Sequence, residues 1–380
     1  MKQTFTFHSS TLPHHTGKIP ANAPDLSIEA FENGQYGEAL CALLDSIDKN
    51  LRNRHTPDSE NKFTIHHGPI TIQIKWDQEN IYIHAPFLLL PDKNPLALLR
   101  QVTQLNFSDL DLARLCLRDN QLHFEYNCPL AFSHPRKIYQ TLEEICLVGK
   151  HYDYEFQKQF QARRILSPCF TPYSTEEINY IYDAIQESCR ECLDQLRYFE
   201  PSRKFYEMHH ILAITLMKII YIAHPQGKLY HTLTQAIRDL DKDLPMSMII
   251  AGARQSIKEL LDTPIEEIAE SLYHIETFIP EKQYIYSSDI REKYQTCYKQ
   301  ASAQYEAGEY RKLCLQITHK FYESYYKYYL PEETDRLLQT ALREVSGQPW
   351  DLAASVLFEA LETLMQNSGK TTPKDPLLAA

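Results

Sequence analysis

Glycine is scarce in this chain, at 10 residues in 380. Phosphate-cradling loops and dinucleotide folds consume glycine, because only glycine lets a backbone turn tightly against a phosphate. No P-loop, G-x-G-x-x-G, G-x-S-x-G or H-E-x-x-H motif occurs. Positive charge is also short, with 39 Lys plus Arg against 50 Asp plus Glu and a net charge of −11. Residues 1–160 hold 15 basic and 19 acidic residues, so the acidity is spread over the chain. Such a chain repels phosphate backbones, and nucleic acid is excluded as the expected partner. Long apolar runs are missing too. The strongest, Ile211 to Ala223, contains Lys218 and falls short of the roughly 20 residues that span a bilayer. It reads as a buried helix, with no membrane insertion. Residues 1–8 lack the apolar core that an export signal requires. The cysteines number 9 and are scattered through apolar stretches, which suits a reducing compartment better than a disulfide framework. The expected location is the cytoplasm.

A chain of 380 residues has room for two or more domains, and a 43% hydrophobic content rules out wholesale disorder. Residues 1–26 contain Pro13, Pro20 and Pro24 and no helical period. They read as an extended arm, either a loose tail or a strap that docks on its own domain or on a partner. Residues 27–160 form an α+β domain. Ser27 opens a helix whose apolar stripe is Phe31, Ala39, Leu40, Leu43, Leu44 and Ile47, with Gly34 as an early break. Phe63 and Ile65, then Ile70, Ile72, Ile74 and Trp76, then Ile81, Ile83 and Ala85 alternate with period two, predicting three antiparallel strands. Asn94 caps a helix that begins at Pro95. Leu112 to Leu117 and Leu122 to Tyr126 are strands joined by a hairpin turn at Asp119-Asn120. Ser133 caps a helix with Ile138, Leu142 and Ile145 along one face. The order α-β-β-β-α-β-β-α packs helices on an antiparallel sheet.

Residues 161–368 form an all-α helical-hairpin domain. Breaks near Pro201, Pro225, Pro245, Pro264, Pro280, Pro331 and Pro349 leave helical pieces averaging roughly 20 residues, the length of bundle or solenoid hairpins. Residues 369–380 read as a flexible tail. Phe31, Gly34 and Tyr36 are echoed by Tyr305, Gly308 and Tyr310. This spacing resembles the turn of a tetratricopeptide hairpin, in which glycine permits the bend and tyrosine packs across it. Two copies this far apart do not make a repeat array.

The motifs that could carry chemistry are few. Cys189-Arg190-Glu191-Cys192 has no second pair to complete a zinc site, and it lies inside a helix rather than at a strand–helix junction. Glu207-Met208-His209-His210 is a single E-x-x-H, whereas di-iron bundles need two. Asp239 to Asp243 imitates a calcium loop but has Leu244 where glycine is needed and Ile250 where glutamate is needed. Ser59 to Lys62 and Ser324 to Lys327 fit S-x-x-K without companion motifs. His66-His67 reads as a polar strand end. No catalytic residue, cofactor-binding residue or metal ligand is assigned. Residues 280–330 hold 11 of the 25 tyrosines. Tyr322, Tyr325, Tyr326 and Tyr329 are expected to share one helical face with Tyr294, Tyr298 and Tyr305 of the preceding helix. They form either an aromatic core or an exposed groove for a partner peptide, and they are the candidate partner-binding residues.

The helix from Ser27, the strands through Ala85, the helix after Asn94-Pro95 and the pair Leu112 to Tyr126 resemble the type III secretion chaperone-like fold, also seen in YbjN-like domains. Ala85 to Pro91, Leu98 to Phe107 and Phe124 to Leu130 look like an uncharacterised bacterial family. The resemblance covers about a third of the chain and implies dimerisation and binding of unfolded or extended segments of other proteins. It offers no catalytic residue. The helical half and the arm are additions to that fold. The function expected is that of a non-enzymatic cytoplasmic adaptor or chaperone-like protein that binds a protein or peptide segment. The competing readings are an enzyme or metal-binding protein with a site near Glu207 and His210, and a structural subunit of a larger assembly.

Overall fold

The computed structural model describes residues 3–12, 23–48, 51, 61–168, 170–285 and 287–367. They divide into two compact units. An α+β unit holds residues 23–171 and 274–281, and a helical unit holds residues 3–12, 172–273 and 282–367.

In the α+β unit, helices α1 (Ala23–Glu32) and α2 (Tyr36–Ile47) precede strands β1 (Lys62–His67), β2 (Ile70–Trp76) and β3 (Asn80–Leu89). Helix α3 (Pro95–Ser108), strands β4 (Arg114–Arg118) and β5 (Gln121–Pro129), helix α4 (Pro135–Phe160) and the short β6 (Arg163–Arg164) follow. The sheet is antiparallel in the order β1-β2-β3-β5-β4, with β6 added to β3. Period-two alternation puts Ile65, Ile72, Ile74, Ile81, Ile83, Ala85 and Phe124 on the buried face. A register shift between Pro86 and Leu88 then brings Phe87 and Leu88 both inside. Asp119 and Asn120 have positive φ, the conformation that suits a two-residue hairpin. Helix α4 covers the sheet with Ile138, Leu142, Ile145 and Phe156. A β-carbon at Gly149 would sit 2.7 Å from Ile70, so glycine is what lets α4 come this close.

Three local expectations are corrected. The first helix starts at Ala23, four residues before Ser27, because proline is tolerated in a first turn where its missing N–H is not needed. The cap of α4 is His134, whose ring accepts from the Arg136 amide, while the Ser133 hydroxyl bonds back to the Leu130 carbonyl. Asn94 occupies the cap position of α3 in the left-handed region, but its side chain makes no capping bond.

The segment 274–281 belongs to the α+β core. Phe278 and Ile279 are buried there, and Lys150 pairs with Glu281 at 2.5 Å. His67 is fully buried rather than a polar strand end. Its Nδ1 accepts from the amides of Phe278 (3.2 Å) and Ile279 (3.4 Å), and Gly68 donates to the Glu276 carbonyl. Burial pulls the His67 pKa down to about 4, and Lys150 opposes protonation while Glu281 favours it. The folded state therefore holds this ring neutral. Its contribution is complete above the unfolded value of about 6.5 and is lost as the pH falls toward 4. Acid titration of unfolding free energy should lose about 3 kcal/mol over that window from this group. His67→Asn, which keeps an acceptor but cannot protonate there, should flatten that slope. An unchanged slope in the variant would refute the assignment.

In the helical unit, α5 (Thr175–Phe199) opens with a capping box between Ser174 and Glu177. Helices α6 (Phe205–Ala223), α7 (Gly227–Leu240), α8 (Met246–Asp262) and the short α9 (Ile265–Ala269) follow, then α10 (Ser287–Glu306), α11 (Tyr310–Lys327), α12 (Glu332–Glu344) and α13 (Trp350–Asn367). Pro245, Pro264 and Pro331 stand at helix N-caps, as the break pattern predicts. Helix α6 is buried without interruption from His210 to Ala223 and packs against α5, α7, α8 and α11. Apolarity on all sides is what a central helix requires. Among the described residues, no helix is long and apolar enough to cross a membrane.

The two echoed turns have the same structure. Gly34 and Gly308 lie at φ +75° and +70°. Gly34 donates to Phe31 O and Gln35 to Ala30 O, and likewise Gly308 to Tyr305 O and Glu309 to Gln304 O. Both are helix ends closed by paired 5→2 and 6→1 bonds. Phe31 meets Tyr36 at 5.3 Å and Tyr305 meets Tyr310 at 5.8 Å across the respective bends.

Candidate functional site

The tyrosines of residues 280–330 do not form one surface. Tyr322 and Tyr325 are buried in the helical core, where their rings lie 5.6 and 4.6 Å from Tyr221. The Tyr325 hydroxyl donates to Asp335 Oδ1 at 2.9 Å, and Tyr294 pairs with Ser324 at 2.6 Å. Helix α11 ends at Lys327, so Tyr329 leaves its face and packs on Tyr284 instead. Tyr326 is half-buried, and Tyr298 and Tyr305 stack on Phe358 of α13. The exposed-groove expectation thus fails at Tyr322 and Tyr325, because α6 supplies an aromatic partner that closes over both rings.

The other motifs are also placed. Cys189 and Cys192 are buried free thiols on α5, and burial pushes Cys192 up to about 12 and Cys189 higher. Thiols so protonated are poor nucleophiles and poor metal ligands. Glu207 contacts Lys204 at 3.8 Å, and the His210 ring lies between Tyr206 and His319. Burial, then His319 and His209, lower the His210 pKa to about 3. Among the described residues no group of three or more His, Cys, Asp or Glu side chains is disposed to hold a metal ion. Asp239 closes α7 with Lys242 and Gln235 as a charged helix end. Ser324 is tied to Tyr294 and Lys327 to Glu323, so they make no S-x-x-K pair. Ser59 and the tail from residue 368 lie outside the described residues.

The feature that stands out is the docking of residues 3–12 on the helical unit. They run extended over α5, α6 and the turn between α12 and α13. Gln3 forms an antiparallel bridge with Pro349, and Thr4 donates its amide to Gln348 O and its hydroxyl to Val345 O. Phe5 is buried in the helical core. The Thr6 amide and hydroxyl both donate to Glu191 Oε1, at 2.9 and 3.1 Å. The Phe7 amide donates to Ser346 Oγ, and its ring lies 6.4 Å from Tyr221 and beneath the Arg343 guanidinium. Further along, Tyr180 donates to Ser9 O, Ser10 bonds His224, and Thr11 donates to Ile222 O.

Glu191, which takes both Thr6 donors, belongs to a group of buried polar side chains inside an apolar core. Lys218 of α6 is completely buried, with Nζ 3.7 Å from Glu191 Oε2, beyond hydrogen-bond reach. Burial pulls the Lys218 pKa down against the opposing pull of Glu191 and Glu187. Lys218 Nζ, Glu191 Oε2, Ser188 Oγ and both amide atoms of Gln195 are buried without a hydrogen-bond partner. Ser188, Glu191 and Gln195 recur at three- and four-residue spacing on one face of α5. His8 stands 3.3 Å from Glu187, and burial and the charge of Lys218 lower its pKa to about 4.

The sequence offered docking of the arm only as an alternative to a loose tail and singled out no residue of this site. Two signals pointed to it: a lysine in the middle of the most apolar run, and the alternation Thr4-Phe5-Thr6-Phe7 near the start of the chain. Chemically the site can hold an extended chain by its amides, seat alternate rings and present one carboxylate to a donor. Among the described residues, no nucleophile with a lowered pKa is brought to it, and no group of three or more His, Cys, Asp or Glu side chains there is disposed to hold a metal ion. No protein-family model matches the chain, and no curated protein matches it.

Proposed function

We propose that this is a non-enzymatic, cytoplasmic adaptor or chaperone-like protein that binds an extended segment of a partner protein. One observation carries the reading. The helical unit already holds an extended segment, residues 3–12, through main-chain hydrogen bonds and ring pockets. This is the way extended peptides are recognised in general, with amides supplying affinity and alternate side chains supplying selectivity. The likeness of residues 27–160 to chaperone-like folds points the same way. Affinity purification of the full chain from its native host, with quantitative mass spectrometry, tests it. The expected result is a reproducible protein partner. Recovery of none above background across growth conditions would refute it.

A further inference from the structure

We propose that residues 3–12 are a displaceable occupant of the partner site, whose true ligand is an extended segment carrying an aromatic–hydroxyl–aromatic sequence like Phe5-Thr6-Phe7. The inference rests on the adaptor reading and adds to it the chemistry of the partner and a mechanism of control. Three observations support it.

The first is that the contacts are of the kind by which an extended ligand is held. Phe5 fills the core pocket, Thr6 offers two donors to one carboxylate oxygen, and Phe7 sits between Tyr221 and Arg343. Any extended segment with rings on both sides of a donor residue meets the same groups. Apart from Thr4 and Phe5, the segment is half-buried or exposed.

The second is that the segment leaves the buried polar group around Glu191 unsatisfied. Glu191 accepts at Oε1 only, while Oε2, Lys218 Nζ, Ser188 Oγ and the Gln195 amide remain buried without hydrogen bonds. Native interiors seldom leave so many polar atoms unpaired. A site that keeps unused buried donors and acceptors rewards a ligand that reaches them, because their desolvation has already been incurred. The resident segment is therefore not the best ligand the groove can take.

The third is that the segment belongs to the same chain as its groove. An intramolecular ligand competes at an effective concentration of roughly millimolar. A resident segment of modest intrinsic affinity then occupies the groove about 99% of the time, and a competitor sees an affinity reduced about 100-fold. The groove stays closed to weak, unspecific chains and opens to a segment that outbids its own.

The test uses a fluorescent peptide of residues 1–12 titrated by anisotropy into three full-length proteins: wild type, Phe5→Asp and Thr6→Pro. The two variants unseat the resident segment by different means, one through the ring pocket and one through the Glu191 contact. Both variants should bind the peptide about 100-fold more tightly than wild type does, as release of the tethered competitor requires. A peptide carrying Phe5→Ala should bind at least about 10-fold more weakly, since it loses the buried ring. Equal binding by all three proteins, or binding by none, would overturn the proposal. Unfolding of both variants would overturn it too, since the segment would then be an obligatory part of the fold. A variant dimer that excludes the peptide would replace it with exchange of residues 3–12 between two copies. The two readings fail separately. A partner recovered from the host with no peptide binding refutes only the resident-segment proposal. Peptide binding with no recoverable partner refutes only the adaptor reading.

Discussion

Glu191→Ala should destabilise the helical unit by about 3–5 kcal/mol, the range for stranding one member of a buried ion pair. The substitution leaves Lys218 fully buried with its nearest carboxylate gone and removes the acceptor of both Thr6 donors. Lys218→Met should be far milder. It replaces the amine by an apolar chain of similar length, and Glu191 keeps its two bonds from Thr6. Combining Lys218→Met with Glu191→Gln should recover most of the loss of Glu191→Ala, because neither charge is then left buried alone. Urea unfolding of the single and double variants measures the ranking. Amide exchange over residues 3–12 measures the coupling to the docked segment, which should lose protection in Glu191→Ala while Lys218→Met retains it. If Glu191→Ala proves no worse than Lys218→Met, the ion pair is not what organises this buried polar group.

Tyr325→Ala should cost about 3–5 kcal/mol, the range for removing a large buried side chain without collapse of the cavity. The ring is 1% exposed and packs 4.6 Å from Tyr221, which itself contacts Phe7 of the docked segment. Tyr325→Phe keeps the packing and removes only the hydroxyl. Asp335 Oδ1 retains a second donor in Gln339, so this change should cost about 1–2 kcal/mol. Thermal and urea unfolding separate the two components. A Tyr325→Ala protein with unchanged melting and weakened partner binding would restore the exposed-groove reading of this tyrosine and overturn its place in the core.

The acid response has a common sign in both units. His67 in the α+β unit and His8, His210 and His319 in the helical unit all have lowered pKa values, with burial the first cause in each. All four are held neutral in the folded protein, so each withdraws its support as the pH falls below about 6.5. His8 belongs to the docked segment, which couples acid to the occupancy of the groove as well as to global stability.

Most secondary structure was legible locally. Alternation at Ile70 to Trp76 and Ile81 to Ala85 marks strands because one face of each is buried and the other is not. The apolar run Ile211 to Ala223 marks a central helix, and the prolines mark the helix starts. The matched turns at Gly34 and Gly308 were readable because a left-handed residue at a helix end calls for glycine, whatever surrounds it. Local pattern states whether a residue is buried but never against what. Nothing in the sequence around Phe278 and Ile279 says that they enter the α+β core. Only the tertiary structure brings the Thr6 amide to Glu191, 185 positions away, and sets Lys218 beside that carboxylate. The tyrosine face shows the same limit. Its helical spacing was plain, but the choice between core and groove depended on Tyr221, a ring on a helix about a hundred residues earlier. Periodicity is a property of one segment, whereas the partner of a buried face is chosen by the packing of the whole unit, and in this chain the candidate site lies in those choices.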